Sequence, residues 1–440
     1  MGGAHVQSTD ADVLEPATHP TTSARVQAVV VCRDASANPL RTVGGITLLE
    51  RLLRQLSELE SVDFILLLKP IDLSLPPPSK RVRKDVVYQD TSGATVWEML
   101  RHARAHLRDR FILVAADLLI DQRLLSWLTA QTTEVSLSPR IGDRPEAAAF
   151  LRAKSLDAPS LEAARIKVVE VASLPTYWDA MHGDVPFHLQ RIRNDDDAEH
   201  GWQILLDYIQ RRTQELPARY FDPFFENLIV RRLAPTAITA NQVTLATTLL
   251  GFLVAALYAT GWLRVGVLLA IFVEVLDGVD GKLARITRTT SKAGEYEHIL
   301  DFFYENSWWL ALGFFLSKDG SKFAWHAALL MVAFDLADNI VYSVADVKWH
   351  RSVDNATAFL SRFRLVAGRR NIYTWLFLPG FFLSIPGISF YLAVAWAGVT
   401  AAIHAAWCIN EAIRPESHPA SPVPYAEQSV PGAGRIPPDR

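Results

Sequence analysis

The feature that most limits how this chain can fold is a series of long apolar stretches between Gln242 and Asn410, separated by short polar ones. About 20 apolar residues in a helix match the hydrocarbon thickness of a bilayer, where each backbone group must be satisfied within its own segment. On that length the sequence predicts six spans, near 242–262, 265–284, 298–317, 323–345, 371–386 and 388–411, the fifth of them short. The first has a readable start, because Thr239 and Gln242 form a capping-box pattern and Pro235 stops any earlier helix. Basic residues gather in alternate connections: Arg231 and Arg232, then Lys282, Arg285, Arg288 and Lys292, then the run from Lys348 to Arg370. By the positive-inside bias both termini are expected in the cytoplasm, and the chain is expected to be an integral protein of the cytoplasmic membrane.

Upstream the pattern changes. Short apolar runs such as Ala28–Val31, Phe64–Leu68 and Phe111–Val114 alternate with helical patterns at 47–58 and 95–107. That alternation predicts a cytoplasmic α/β domain with a largely parallel sheet over 24–205, ahead of an all-α domain of six transmembrane helices over 235–411. The stretch 206–234 reads as a linker ending in an interfacial helix, aromatic along Tyr220–Phe225 and basic at Arg231 and Arg232. An amphipathic helix packed on the soluble domain is the alternative. A leader (1–23) and a Pro-, Ser- and Gly-rich tail (412–440) have too little apolar content to order themselves. No basic region followed by an apolar core and cleavage site opens the chain, so internal segments are expected to direct insertion. The only two cysteines, Cys32 and Cys408, lie in different halves, which excludes a disulfide framework or a cysteine metal site. No nucleic-acid partner is expected.

The most informative stretch is Glu274–Arg285, which puts Asp277 and Asp280 at the end of a segment otherwise apolar enough to span. Ionised groups there are costly and are functional candidates. On a helix, Asp277, Asp280, Gly281, Ala284 and Arg285 fall within an arc of about 140°. One face therefore carries two hard oxygen ligands, two small residues and a cation. In the next span Glu297, Asp301 and Glu305 recur every four residues and form a second acidic stripe. Carboxylates on facing helices build two-metal sites, and oxygen ligands suit Mg2+ or Mn2+. The plainer alternative is that these acids pair with Lys282, Arg285, Arg288 and Lys292 as interfacial salt bridges.

Asp277-x-x-Asp280-Gly281-x-x-Ala284-Arg285, then eight residues and Gly294, resembles the signature of the CDP-alcohol phosphotransferase family, D-x-x-D-G-x-x-A-R-x8-G-x-x-x-D-x-x-x-D. Ile238–Leu245 is similar to the opening of the family's first span, and the resemblance covers about 235–411. The last two family aspartates fall out of register, landing without a gap on His298 and Phe302. A one-residue deletion aligns Glu297 and Asp301, while a three-residue insertion aligns Asp301 and Glu305. The resemblance implies two metals held by Asp277, Asp280, Glu297 and Asp301, gripping the diphosphate of a CDP-alcohol donor. It implies Asp301, or Glu305 in the other register, as the base that takes the acceptor proton. Gly281, Ala284 and Arg285 would line the cytidine pocket, with Asn241 and Thr244 as weaker candidates. Asp335, Asp338 and Asn339 are expected on the acceptor side, where Arg369 and Arg370 would bind an acceptor phosphate or simply anchor the membrane face.

The family reading implies release of CMP in phospholipid or phosphodiester biosynthesis, a hydroxyl acceptor that is a lipid or a phosphorylated polyol, contact with membrane lipid, and a homodimer. Two other classes remain: a catalytically inactive membrane scaffold with a degenerate site, and a transporter, against which the absence of an internal repeat argues.

In the first domain, Val43–Arg51 resembles a segment of sugar-phosphate nucleotidyltransferases, Asp117 their metal-binding strand end, and Tyr177-Trp178-Asp179 a later step. The phosphate loop does not match: Val31–Leu40 is short, lacks glycine and has Asn38 where a lysine belongs. Without backbone amides and cations to offset phosphate charge, a degenerate cytidylyltransferase that has lost activity is expected. The order of domains is similar to that of bifunctional inositol-phosphate cytidylyltransferase/phosphotransferase proteins.

Overall fold

The computed structural model describes residues 25–32, 38–138, 148–160, 162–174, 177–179, 183–210, 214–289 and 294–413. The first half opens with β1 (Val26–Val31), the short hairpin β2 (Thr42–Val43) and β3 (Ile46–Thr47), and helix α1 (Leu48–Glu58). Then come β4 (Val62–Lys69), β5 (Val86–Asp90), α2 (Val96–His102), β6 (Arg110–Ala115), β7 (Leu118–Ile120), α3 (Gln122–Thr129), β8 (Val135–Ser138), β9 (Ala148–Arg152) and β10 (Lys167–Glu170). Seven of these strands form one sheet in the order β10-β8-β9-β6-β1-β4-β5. Only β9 runs antiparallel, against β6 and β8. Strands flanked on both sides and covered on both faces need continuous apolar sequence, and every residue of β1 is buried. The largely parallel α/β sheet expected from the sequence is therefore present. Thr47 and Thr95 cap α1 and α2, Thr95 through a full capping box with Glu98.

The second half is helical. After α4 (Asp195–Ile209) come the short α5 (Leu216–Tyr220) and α6 (Asp222–Leu233). The remaining helices are α7 (Ala240–Ala259), α8 (Leu263–Ile286), α9 (Gly294–Lys318), α10 (Ala324–Trp349), α11 (Ala358–Phe363), α12 (Arg370–Phe382) and α13 (Pro386–Ile413). The expected start of the first span is there: Thr239 accepts from the Gln242 amide, and the Gln242 side chain accepts from the Thr239 amide at 2.9 Å.

Helices occupy all six segments where spans were expected, but the count of six spans needs correction. Among the described residues three helices, α7, α10 and α13, are long and apolar enough to cross a membrane. The 13 residues of α12 reach only about 20 Å. Helices α8 and α9 have the length but carry the charges that make them interesting, from Arg264 to Arg285 and from Asp301 to Lys318. They pack with α12 against the apolar helices, burying Trp308, Tyr258, Tyr304 and Phe377 in one core.

The halves are not beads on a string. A single buried cluster joins Val43, Leu48 and Leu119 of the α/β domain to Leu205 and Leu206 of α4, Val230 of α6, and Val279, Leu283 and Ile286 of α8. Helix α6 turns its Asp222, Glu226 and Val230 side inward. Phe224 and Leu228, with Tyr220 beside them, stay exposed.

Candidate functional site

Asp277, Asp301 and Glu305 line one cavity of about 460 Å3, walled elsewhere by α10, α12, α13, the start of α5 and the connection from Ser352 to Gly368. The four-residue spacing of Asp301 and Glu305 puts both on one face of α9, turned toward the cavity. Glu297 lies in the first turn of α9, and its side chain falls outside the described residues.

Arg370, the first residue of α12, reaches into this acidic group. Its guanidinium contacts Asp277 Oδ2 and Glu305 Oε1, each at 2.6 Å, and donates to the Tyr304 hydroxyl. The cation expected on the acceptor side thus sits between the two carboxylate-bearing helices. Arg369 instead stacks over Tyr342 at 4.5 Å and lies 3.8 Å from Glu215. Glu215 also meets Arg364 at 3.2 Å, and Arg364 approaches Asp354 at 3.6 Å. Asp335 accepts from Asn306 at 3.0 Å, and Asp338 pairs with the buried His404 at 2.6 Å. Asp335, Asp338 and Asn339 all line the cavity.

Asp280 is placed differently. It is buried, accepts from Thr244 Oγ1 of α7 at 2.7 Å and from the Gly281 amide, and is not part of the cavity wall. The Arg285 guanidinium folds over Gly281, so that a Cβ at Gly281 would stand 3.2 Å from Arg285 Nη1. Ala284 lies on the same stretch of α8, half-buried.

Behind α8, Lys282 is saturated by Glu226 at 2.7 Å, Gln210 at 2.6 Å and Asn227 at 2.7 Å. Gly278 permits this approach, since any Cβ there would collide with Glu226. Burial, then the neighbouring Glu226 and Glu215 charges, pushes Asp222 up to about 7, and burial raises Glu226 as well. Lys282 and Arg288 pair with Glu226 and Glu58, so two of the four basic residues weighed as partners of the motif acids are engaged elsewhere.

The donor set suits a hard divalent cation, since all its charged oxygens are carboxylates. Among the described residues, however, no three acidic or histidine side chains converge as a coordination shell, and Arg370 lies between Asp277 and Glu305.

Glu215, Asp354, Arg364 and His404 were not singled out from the sequence. Glu215 and Asp354 lie in connections without periodicity, Arg364 reads as one more cytoplasmic arginine, and His404 is a lone polar residue in an apolar helix.

In the first domain Asp117 is gripped by Arg191 through two contacts, 2.6 and 3.2 Å. Both oxygens of this strand-end aspartate therefore accept from one guanidinium. The phosphate-loop residues 33–37 and the side chains of Tyr177, Trp178 and Asp179 lie outside the described residues.

Residues 237–405, most of the helical half, match the model of the CDP-alcohol phosphatidyltransferase family. No curated protein matches. Among solved structures, the chain is similar to a 4-diphosphocytidyl-2C-methyl-D-erythritol synthase at 14% identity and TM-score 0.30, covering 42% of this chain and 100% of that one. It is similar to 2-C-methyl-D-erythritol 4-phosphate cytidylyltransferase from Thermus thermophilus at 13% identity and TM-score 0.28, covering 41% and 98%. It is also similar to a UDP-glucose pyrophosphorylase from Acinetobacter baumanii at 10% identity and TM-score 0.31, covering 47% and 99%.

Proposed function

We propose that this membrane protein transfers a phosphoalcohol from a CDP-alcohol to an acceptor hydroxyl and releases CMP. The single observation that carries the reading is the convergence of Asp277, Asp301 and Glu305 from two helices on one cavity, within the segment that matches the family model.

In the reaction the acceptor oxygen attacks the phosphorus that bears the donor alcohol, and the bond from that phosphorus to the CMP oxygen breaks. The acceptor proton passes to Asp301, or to Glu305 if the three-residue insertion is the correct register. Mg2+ or Mn2+, held by Asp277, Asp280, Asp301 and one of Glu297 or Glu305, would supply the positive charge that neutralises the diphosphate. Gly281, Ala284 and Arg285 would line the pocket for the cytidine nucleotide. The acceptor enters from the end walled by Asp335, Asp338, Arg364 and Arg369, and is a lipid or a polyol. The distribution of basic residues supports two cytoplasmic termini, which requires an even number of crossings and so at least one of α8, α9 and α12 crossing beside α7, α10 and α13, and the protein works as a homodimer. The first domain has lost cytidylyltransferase activity, a reading supported by the engagement of Asp117 by Arg191.

One observation favours a second reading, an inactive scaffold: the Arg370 guanidinium supplies the charge that a metal would bring to Asp277 and Glu305. The test is CMP release by the purified full chain from a panel of CDP-alcohols with Mg2+. Asp280→Asn is expected to abolish release while the thermal midpoint holds. Undiminished turnover by that variant would refute the reading, and no release by the wild type would favour the scaffold.

A further inference from the structure

The last turn of α8 lies directly beyond Arg285, and helix ends leave carbonyl groups without intrahelical donors. Here the ends are met partly from within. The Thr289 amide returns to Ala284 O at 2.8 Å and the Arg288 amide to Arg285 O at 3.2 Å, which is the double hydrogen bond of a Schellman turn. That turn requires left-handed backbone at the residue after the cap, a place where glycine is usual. Arg288 occupies it with φ 51°.

The remaining carbonyls are met from the other domain. Arg51 of α1 donates to Ile286 O at 2.6 Å, and to Val43 O at 2.9 Å in its own domain. Arg54, one turn on, donates to Thr287 O at 2.7 Å. Arg288 itself is pinned by Glu58 of α1 and by Gln122 at 3.2 Å. The turn between β2 and β3 completes the seat. Gly44 and Gly45 both have positive φ, and a Cβ on Gly45 would collide with Ala234 O, at the end of α6. The residues that resemble a nucleotidyltransferase segment therefore contact the transferase half. A cation at a helix C-terminus also opposes the negative end of the helix dipole.

We infer that the α/β domain is a positioning element for the transferase half, in which Arg51 and Arg54 cap α8 and thereby hold Arg285 and Gly281 in register for the cytidine nucleotide. The consequence for nucleotide binding rests on the transferase reading; the capping itself does not. Arg51 and Arg54 touch neither substrate nor reacting atoms, and their effect passes through the last turn of α8.

Two measurements on the full chain test this. Amide hydrogen exchange across 281–289 reports the cap, and the dissociation constant for CMP reports the nucleotide seat. In Arg54→Ala and Arg51→Ala, exchange in that segment is expected to quicken roughly ten-fold, the effect of losing one charge-assisted hydrogen bond, while exchange in β1 and β6 is unchanged. CMP binding is expected to weaken by a comparable factor, with Arg54→Lys restoring most of it. Arg288→Gly keeps the turn but removes the pin to Glu58, so it should weaken CMP binding less than Arg54→Ala. Arg104→Ala, at an exposed ion pair far from α8, serves as control. Unchanged exchange in Arg54→Ala overturns the capping claim. Faster exchange with unchanged CMP affinity overturns the positioning claim. If the wild type does not bind CMP at all, the transferase reading falls while the exchange result still decides the cap.

Discussion

The two domains each carry a candidate acidic site, and an arginine has entered both. In the α/β domain Arg191 covers Asp117, one guanidinium for one buried carboxylate. In the helical domain Arg370 spans Asp277 and Glu305, yet the cavity around them is lined by seven carboxylates against three guanidiniums. In the first arrangement one guanidinium balances one carboxylate. The second keeps an excess of negative charge around a cavity, which is what a cation-assisted phosphate site requires. The comparison teaches that an acidic residue in the right place is not enough; what matters is the charge left after internal pairing.

The comparison breaks if both sites behave alike. The largest expected effect is on turnover. Asp277→Asn should lower CMP release by about 10²–10⁴-fold, the range for removing a group that acts on the reacting centre, whereas Asp117→Asn should leave it within about two-fold. Equal losses, measured by chromatography of released CMP, would mean that the first domain also takes part in the chemistry.

Next is the role of Arg370. Removing one partner from a largely buried ion-pair group strands the others, so Arg370→Ala should cost about 3 kcal/mol of stability in chelator. Mg2+ should restore more stability to this variant than to the wild type, because the ion meets carboxylates that Arg370 no longer neutralises. Thermal unfolding with and without Mg2+ reads this. No difference between the two in metal response would argue that cations do not bind there.

How much of this could be read beforehand depends on the range of the interactions. The capping box at Thr239, the apolar runs of β1, β4 and β6, and the spacing of Asp277, Asp280, Asp301 and Glu305 are local patterns, and they were legible. The arginine pairs were not. Arg370 meets Asp277 across 93 residues of sequence, and Arg51 meets Ile286 across 235. No periodicity records such contacts, so Arg370 was expected near an acceptor phosphate instead. The count of six spans failed for a related reason. Helices α8, α9 and α12 occupy the expected places, but their charges or shortness mean that neighbouring helices, not their own composition, hold them there.

The smallest effect sharpens the picture at the back of α8. Asp222 has a folded-state pKa of about 7, above that of an exposed aspartate, so the native state favours its protonated form. The stability this gives is fully present below the unfolded value and is lost as pH rises through about 7. Asp222→Asn should therefore flatten the decline of the thermal midpoint between mildly acidic and mildly alkaline pH, with an effect on the order of 1–2 kcal/mol above neutrality. An unchanged pH profile would place the titration elsewhere.

The most direct measurement is mass spectrometry of what the wild-type full chain makes from CDP-alcohols and a lipid or polyol acceptor in the presence of Mg2+. The account predicts CMP and a new phosphodiester in equal amounts, with the donor's alcohol and phosphorus both in the product. Intact CDP-alcohol after incubation with every donor and acceptor, by a protein that still unfolds cooperatively, would contradict it.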